Sequence, residues 1–307
     1  MADLKSGRIV EWQRLSPSLS LFRVVAVDGS PFPSYQAGQY IALRRDDCLL
    51  TRKVKEGDKV QYVPDLDENG NQKRGSVTHS YSISSAPFEA ARGNHLEFYV
   101  VLERGRDGVL GRLTESLFRG MEDHSNERLA FVERIVGDFT LAKRAAAFEH
   151  VLMVGTGTGL APFVSMMKQL DFEAQQGIAP RARYTLLHAN RTREELAYHR
   201  ELLDIEKARR LDFVYVPSVS RPTQRDLADP RLGSGRANNL LRHLFELPPR
   251  EQVAAPVALP RERGLPMLRE RIDPSRTVVL TCGNPDGMAD IAWIAGQVGM
   301  KFEKEDW

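Results

Sequence analysis

Cysteine is scarce in this sequence, which has only Cys48 and Cys282 among its 307 residues. The two lie in dissimilar contexts, so the chain offers neither a disulfide framework nor a cysteine-based metal site, and we predict no metal. A reducing compartment suits such a chain, and we expect a cytoplasmic protein.

Long hydrophobic runs and an excess of one charge are also lacking. No stretch of about 18 apolar residues occurs, and the N-terminal "MADLKSGRIVEW" has no continuous apolar segment, so we expect a soluble protein without a membrane span. The formal net charge is +2, from 43 basic and 41 acidic residues. This balance argues against nucleic acid or a membrane surface as a partner, and any charged partner has to be recognised by a local patch.

The chain divides into two halves of different pattern, as its length suggests. From Arg8 to about Leu141, short segments rich in Val, Tyr, Phe and Leu alternate with turn signals such as "EGDK" and "DENGN". This pattern is typical of an antiparallel sandwich or barrel. From His150 onward, apolar runs alternate with helical patterns, which predicts βαβ units around a parallel sheet. We expect the boundary within 141–149 and place it between residues 143 and 144.

The second half is predicted to contain four strands and four helices. The strands cover 150–155, 183–189, 211–218 and 276–283, and the helices cover 160–174, 193–210, 237–246 and 288–299. The helix over 193–210 would bring Leu196, Leu202 and Leu203 onto one apolar face. The proline-rich segment 248–263 reads as an extended surface excursion.

Three alternating glycines, Gly155, Gly157 and Gly159, follow the first of these strands, and Pro162 stands near the start of the next helix. Glycines here let the backbone approach a phosphate, whose charge the free N–H groups of the helix N-terminus would meet. A tight structural turn is the alternative for such a motif. The spacing GxGxG differs from the usual GxGxxG and needs support from elsewhere.

Arginines follow the ends of two predicted strands. The second strand leads into Asn190 and Arg191, the third into Ser220 and Arg221, and Arg236 comes after "GSG". A dinucleotide-binding fold that prefers NADP places cations here for the extra phosphate, whose oxygens a guanidinium fork matches. These arginines therefore favour NADP(H), although Glu194 and Glu195 after Arg191 oppose that preference.

The stretch "VTHSYSISSAP", residues 77–87, alternates like a strand, yet its polar positions are hydroxyls and one imidazole. Together with the other motifs it resembles the ferredoxin-NADP reductase superfamily, and more narrowly its bacterial ferredoxin/flavodoxin-NADP reductases. The resemblance covers nearly the whole chain, with the motifs in the family's order: "AGQYIAL", "HSYSISSAP", "EFYVV", "GRLTESL", "VGDFTL", "GTGTGLAP", "HANRTREELAYHREL", "VSR", "GLPM", "CGNP" and a terminal Trp307.

The resemblance implies an antiparallel β-barrel FAD-binding domain, residues 1–143, followed by an α/β parallel-sheet NADP-binding domain, residues 144–307. Tyr81 would pack on the flavin ring and Ser82 would lie near its reactive edge, with Ser80 on the same strand. His79 stands where the family has an arginine on the FAD pyrophosphate, and Arg74 is the candidate substitute. The remaining flavin contacts implied are Tyr99, Val100, Val101, Leu113, Thr114 and Thr158.

The resemblance also assigns the second cofactor. Arg191, Arg221 and Arg236 would bind the 2′-phosphate of NADP(H), with Asn190 and Ser220 beside them. Cys282 and Gly283 would lie near the nicotinamide, and the terminal Trp307 near the flavin or its adenine. Candidate catalytic residues that handle protons are Ser82, Cys282 and Glu303 from "EKED".

The implied function is hydride exchange between NADP(H) and FAD and one-electron exchange with ferredoxin or flavodoxin, by a monomer. Three basic pairs could guide an acidic carrier: Arg44 with Arg45, Arg52 with Lys53, and Lys143 with Arg144. The alternatives are an NAD(P)H-dependent flavin reductase, an oxygenase-reductase component, or a non-enzymatic nucleotide-binding module. Segments 52–76 and 248–263 look like insertions, most simply surface loops.

Overall fold

The computed structural model of the chain describes residues 3–56, 59–105, 108–123, 126–178, 180, 182–250 and 256–305. The chain forms two compact units. The first contains the chain up to Tyr35 with Tyr40–Ile83 and Glu89–Val136, and the second contains Gln36–Gln39, Ser84–Phe88 and the chain from Gly137 on. The second unit thus begins before the boundary predicted at 143/144.

The first unit is an antiparallel β-barrel, as the sequence predicts. Its strands are β1 (Leu4–Ser16), β2 (Leu19–Ala26), β3 (Tyr40–Leu49), β4 (Thr51–Glu56), β5 (Lys59–Pro64), β6 (Arg74–Ser82), β7 (Leu96–Val101) and β8 (Arg128–Val132). Among the described residues, six of them form one sheet in the order β6-β3-β8-β1-β2-β7. An isolated bridge between Ile83 and Phe98 joins the two ends of this order.

Alternating side chains fill the barrel. Along β2, Phe22, Val24 and Ala26 are buried, while the residues between them are half-buried, because successive strand side chains point to opposite faces. The helix α1 (Pro87–Gly93) precedes β7, and α2 (Arg112–Glu122) packs with Leu113 and Leu117 in the barrel core. The barrel therefore has its own hydrophobic core.

Arg45 on β3 lies inside this unit, with only 1% of its side chain exposed. Its guanidinium donates to the Ser116 hydroxyl at 3.0 Å and to the carbonyl oxygens of Asn126 and Arg128 at 3.0 and 2.8 Å, and it pairs with Asp47. The interpretation of Arg45 as half of a surface basic pair is therefore wrong. Its guanidinium donors tie strand β3 to helix α2 and to the segment that follows the helix.

Strands β4 and β5 form a separate hairpin between β3 and β6. Its base is fixed by backbone bonds from Asp65 N to Leu50 O and from Leu50 N to Lys73 O, at 3.0 and 2.8 Å. A second turn follows, in which Asp67 N donates to Asn71 O at 2.8 Å, as "DENGN" predicts. We call residues 50–73 the β-arm.

The second unit is an α/β fold around a parallel sheet. Its strands are β9 (His150–Thr156), β10 (Arg183–Asn190), β11 (Phe213–Val219), β12 (Gly233–Ser234), β13 (Thr277–Cys282) and β14 (Lys301–Lys304). Its helices are α3 (Leu141–Arg144), α4 (Ala161–Gln175), α5 (His199–Ala208), α6 (Gln224–Ala228), α7 (Ala237–Leu244), α8 (Leu265–Arg271) and α9 (Pro285–Val298). Within the described chain the order is β12-β11-β10-β9-β13-β14. The central strands β9 and β13 are buried along nearly their whole length and are largely apolar, as expected for strands covered on both faces.

Helix α5 is shorter than the prediction of a helix over 193–210. Tyr198 adopts a left-handed conformation, φ 58°, so the helix begins only at His199. Leu196 consequently leaves the face shared with Leu202 and packs with Val219 and Leu232. Within the described residues of this unit, five elements have no counterpart in the sequence prediction: the strands β12 and β14 and the helices α3, α6 and α8.

The excursion over 248–263 completes one side of the sheet. Ala258 exchanges two backbone bonds with Ser234 of β12, at 2.8 and 2.9 Å. Strand β12 does not reach Tyr215 of β11. There Arg263 donates to the carbonyl oxygen of Tyr215 at 3.4 Å, and Glu206 accepts from the Tyr215 N–H at 3.1 Å. Arg263 also pairs with Glu206, so two side chains satisfy the outer edge of β11 where a neighbouring strand is lacking.

None of the helices in the described part of the chain combines the length and the apolar character needed to cross a membrane.

Candidate functional site

The glycine turn of the second unit joins β9 to α4 through a 3₁₀ segment, Gly157–Leu160. Gly157 has φ +57°, and a Cβ added there would meet nothing within 4 Å. Gly159 is different, because a Cβ there would lie 2.2 Å from the carbonyl oxygen of Cys282. The turn therefore needs glycine at 159 for close backbone approach and at 157 for its left-handed conformation, beside open space.

The turn after β13 meets the glycine turn directly. A Cβ at Gly283 would lie 2.2 Å from Oγ1 of Thr156, and at Gly155 it would lie 3.1 Å from Cα of Leu160. Gly155 and Gly283 thus serve packing between the strand ends, while Thr158 is half-buried in the 3₁₀ segment. These loops lie at the carboxyl edge of the sheet, where ligands bind in open α/β folds.

The three arginines follow strands that are neighbours in the sheet. Arg191 comes after β10, Arg221 after β11 and Arg236 after β12. Backbone bonds continue the pairing beyond the strands, from Ser220 N to Asn190 O and from Arg221 N to Arg191 O, both 2.8 Å. The structure therefore brings all three to one edge of the sheet.

The side chains of these arginines differ in their surroundings. Arg191 donates from Nε and Nη2 to the two carboxylate oxygens of Glu195, at 2.9 and 2.6 Å. Arg221 is exposed, and its side chain makes no hydrogen bond or ion pair in the part of the chain that the structure describes. Arg236 is exposed and is the N-cap residue that precedes α7. Asn190 uses its amide to shape the loop, donating to Glu195 O at 2.7 Å.

Cys282 ends β13 and is fully buried. Its thiol donates to Oε2 of Glu305 at 2.9 Å, and the Glu305 carboxylate is itself buried. Burial, together with the adjacent carboxylate, raises the pKa of the Cys282 thiol well above its ordinary value. The pair is a protonated thiol held by a carboxylate.

Of the two glutamates in "EKED", Glu305 contacts Cys282 and Glu303 does not. Glu303 accepts from Arg144 at 2.7 Å and pairs with Lys301 at 3.2 Å. Side chains alternate along β14, and the chain beyond it brings Glu305 N to Thr281 O at 3.1 Å, which places Glu305 beside Cys282. Trp307 lies outside the described residues.

In the first unit, the hydroxyl-rich strand β6 is the outermost strand of the sheet order, beside β3. His79 and Ser80 are exposed, Tyr81 is half-buried and Ser82 is buried. Burial, with the Glu103 charge adding to it, raises the pKa of the Tyr81 phenol, so it remains a neutral hydroxyl. On β7, Tyr99 and Val100 are buried and Val101 is half-buried.

Helix α2 supplies an anion-attracting end in the same unit. Its capping residue Gly111 contributes no side-chain bond, so the first-turn N–H groups lack a side-chain cap. The Leu113 side chain is in the core, and the Thr114 hydroxyl donates to Gly111 O at 3.2 Å and accepts from Glu103 N at 3.3 Å. The Thr114 hydroxyl is thus engaged within the protein. The Glu103 carboxylate lies close to the same helix end, since a Cβ added at Gly111 would be 2.7 Å from its Oε2.

Arg112, the first residue of α2, was not found by the sequence analysis. Its half-buried side chain makes no ion pair or hydrogen bond among the residues that the structure describes. A cation at a helix N-terminus is unfavourable unless an anion sits beside it. Arg74 instead lies at the far end of β6 from His79 and approaches Asp47 O at 3.5 Å.

The known proteins that this chain resembles are oxidoreductases. A family model described as "Oxidoreductase NAD-binding domain" matches residues 153–252. The flavodoxin/ferredoxin-NADP reductase of Buchnera aphidicola subsp. Baizongia pistaciae is 31% identical over 140 residues, which are 45% of this chain and 49% of that protein, so the match spans about half of that relative. The ferredoxin-NADP reductase of Azotobacter vinelandii is 25% identical over 235 residues, 74% of each chain.

Among solved structures, a ferredoxin NADP+ reductase from Neisseria gonorrhoeae with bound FAD and NADP has a TM-score of 0.62 at 20% identity, covering 99% of both chains. The cytochrome b5 reductase domain of Ulva prolifera nitrate reductase has a TM-score of 0.59 at 16% identity, covering 98% of this chain and 97% of that one. An antiparallel barrel followed by a parallel α/β unit with a glycine turn defines a class of two-domain oxidoreductases. This chain is similar in sequence to ferredoxin-NADP reductases and shares their two-domain fold.

Proposed function

We propose that this protein binds FAD and NADP(H), exchanges hydride between them, and passes single electrons to flavodoxin or ferredoxin. The observation that carries the proposal is the set of three arginines, Arg191, Arg221 and Arg236, following three neighbouring strands next to the glycine turn. A 2′-phosphate needs cations at this edge, whereas NAD is usually met there by an acidic residue. The site is thus suited to NADP(H) with the phosphates of the dinucleotide at the glycine turn.

FAD fits the residues of the first unit. The free side of β6 would follow the flavin, with Tyr81 as its aromatic platform and Ser82, Tyr99, Val100 and Val101 around it. The open amides of α2, at Leu113 and Thr114, would meet the pyrophosphate. His79 lacks the guanidinium fork of the family arginine, and we assign the missing cation to Arg112 in preference to Arg74, because Arg112 adjoins those amides.

When bound, FAD supplies the two-electron and one-electron chemistry; the chain's residues bind, orient and exclude water. Cys282 and Glu305 place a protonated thiol at the edge of the sheet where the nicotinamide would lie. Since the raised pKa keeps the thiol protonated, its role is to fill space and hold a proton at Sγ. Glu305 would orient that thiol through the 2.9 Å contact.

The basic pairs differ in their availability to an acidic carrier. Arg45 is buried and Arg44 pairs with Asp46, while Lys143 and Arg144 pair with Asp138 and Glu303. Arg52 and Lys53 on the β-arm are exposed and make no ion pair within the described residues. Complementary charge raises association rates, so the β-arm is the best-placed element to guide the carrier.

Three measurements test the proposal. Purified protein should be yellow and should release FAD on denaturation. NADPH should reduce that flavin anaerobically faster than NADH does, and the reduced protein should then reduce a purified flavodoxin or ferredoxin. A colourless protein that does not bind FAD would overturn the reductase function in favour of a nucleotide-binding module.

The acceptor is the least constrained part of the proposal. The fold is shared with a cytochrome b5 reductase domain, so the same assay should include free flavin and cytochrome acceptors. Rapid flavodoxin or ferredoxin reduction with slow reduction of free flavin supports the carrier proposed. The opposite order would favour a flavin reductase.

A further inference from the structure

The guanidinium of Arg191 is already bound before any ligand arrives. Glu195 accepts from Nε and Nη2 through separate oxygens, at 2.9 and 2.6 Å, which is the bidentate geometry that a phosphate would otherwise use. The Glu195 side chain is 5% exposed and that of Arg191 is 40% exposed. The carboxylate therefore lies behind the arginine, on its protein side.

The loop between Asn190 and Glu195 fixes this arrangement. The Asn190 side chain accepts from the Arg191 N–H at 2.9 Å and donates to the Glu195 carbonyl at 2.7 Å. The Glu195 carbonyl also accepts from Ala197 N at 2.9 Å. Because the backbone on both sides of the pair is held by the same amide, the ion pair is part of the loop's structure.

A neutral pair differs from a free cation in what it offers to a phosphate. Arg221, on the neighbouring strand end, is exposed with no partner among the described residues and presents a full positive charge. The Arg191 charge is already paired with Glu195, and the negative carboxylate behind it repels an anion. Like charges placed close together weaken binding, so Glu195 subtracts from the attraction of this edge for a phosphate.

We propose that Glu195 is a specificity-determining residue: by holding Arg191 in a neutral pair, it lowers the preference for NADPH over NADH. This inference rests on the proposed function of the same edge. Coenzyme discrimination then comes mainly from Arg221 and Arg236, and Arg191 acts as a positioned neutral donor. The chain is expected to prefer NADPH and still accept NADH.

The test compares Glu195→Gln with Glu194→Gln. Glu194 is the adjacent residue, is exposed, and makes no ion pair within the described residues, so its substitution removes the same charge without touching Arg191. The quantity measured is the ratio of kcat/KM for NADPH to kcat/KM for NADH, with ferricyanide as acceptor. We expect Glu195→Gln to raise this ratio about threefold to fivefold, which is the effect expected of a partly exposed ion pair. Glu194→Gln should change the ratio by less than about twofold, because it removes no ion pair.

Binding without turnover supplies a second readout. Calorimetric affinity for adenosine 2′-monophosphate should rise in Glu195→Gln, while affinity for adenosine 5′-monophosphate should stay unchanged. A purely structural role would weaken both. If Glu195→Gln does not fold, Glu195→Asp, one methylene shorter, should loosen the bidentate contact and shift the ratio in the same direction by less.

A ratio that falls in Glu195→Gln would overturn the proposal, because Glu195 would then be positioning Arg191 for the phosphate. An unchanged ratio, or an equal change in Glu194→Gln, would also overturn it. Failure of the proposed function is seen separately, as a parent protein that oxidises neither coenzyme. A parent that uses both coenzymes with variants that do not change the ratio refutes the role of Glu195 alone.

Discussion

Sγ of Cys282 lies 2.9 Å from Oε2 of Glu305, and both side chains are buried. A thiol next to a buried carboxylate is disfavoured as a thiolate twice, since burial penalises the charge and the carboxylate repels it. Cys282 is thus expected to be unreactive, because a reactive cysteine needs a lowered thiol pKa and access to solvent.

The thiols of the folded protein should therefore resist modification. Cys48 is also buried with a raised pKa, chiefly through burial, so neither cysteine should react with a disulfide reagent near pH 8. Unfolding in guanidinium should expose both cysteines of the sequence to the reagent. Measurement of released thiolate before and after unfolding checks this, and a full thiol titre in the native protein would contradict the assignment.

Arg221→Ala should lower the preference for NADPH. The exposed guanidinium would make charge-assisted hydrogen bonds to the 2′-phosphate, and their loss should reduce kcat/KM for NADPH about 10- to 100-fold. The value for NADH should change little. Arg225→Ala is the matched control, because Arg225 is exposed on α6 without a partner in the described chain. A similar loss with both coenzymes would mean that Arg221 does not contact the 2′-phosphate.

Arg112→Ala should weaken FAD binding about tenfold, because a pyrophosphate at the α2 N-terminus would lose a charge-assisted partner. Arg74→Ala should leave FAD affinity nearly unchanged, since Arg74 lies five positions from His79, about 16 Å along an extended strand. Fluorescence titration of the apoprotein with FAD measures both. A larger effect of Arg74→Ala would restore Arg74 as the substitute for the family arginine.

The stability of the second unit should fall in mild acid because of His150. Burial lowers the pKa of His150 to about 4, from an ordinary value of 6.5. The unfolded chain therefore binds a proton that the folded chain does not, so the stabilisation is complete above about pH 6.5 and is lost as the pH falls toward 4. Between pH 7 and pH 5 this amounts to about 2 kcal/mol.

The variant His150→Gln tests this linkage. Its free energy of unfolding in urea should be lower than that of the parent at pH 7 and should vary less between pH 7 and pH 5. His188, whose pKa is lowered to about 3 by burial, leaves a remaining dependence in the same direction. His243→Gln, at an exposed position, should retain the pH dependence of the parent. An unchanged pH dependence in His150→Gln would refute the assignment.

Reversing two charges on the β-arm should impair the carrier reaction selectively. In the double variant Arg52→Glu and Lys53→Glu, KM for flavodoxin should rise about tenfold at low salt, and the difference should shrink as salt screens it. Ferricyanide reduction should be unaffected. Arg200→Glu with Lys207→Glu on α5 makes the same change of charge as a control. Equal effects of the two double variants would place the carrier elsewhere.

The apolar strands of both units could be predicted because their patterns are strong. The run at 150–155 is a buried parallel strand. The segment 77–82 is a strand as predicted, but its burial does not alternate, because Thr78, His79 and Ser80 are all exposed. The sequence pattern did not predict the burial of charged side chains, because their burial depends on the residues packed around them. Arg45 looks like its neighbour Arg44 in sequence, and only the packing of the segment after α2 shows that one is buried.

The site residues, too, could be predicted only in part from the sequence. Glycines and arginines could be assigned to the sheet edge, because parallel strands end together. The choice between Glu303 and Glu305 depends on the register of β14 on β13, and "KFEK" gives no apolar signal of a strand. Arg112 could have been found from one clue, a cation at the first position of a helix whose N-cap has no polar side chain.

The excursion that runs from residue 248 to 263 carries Ala258 and Arg263, which cover the outer side of β12 and β11. A chain shortened there would keep its glycine turn and its arginines. It would, however, expose a row of unpaired backbone groups, and such an edge is a template on which another copy of the chain can add a strand. What looks in the sequence like a dispensable insertion therefore closes an edge that would otherwise be open to such pairing.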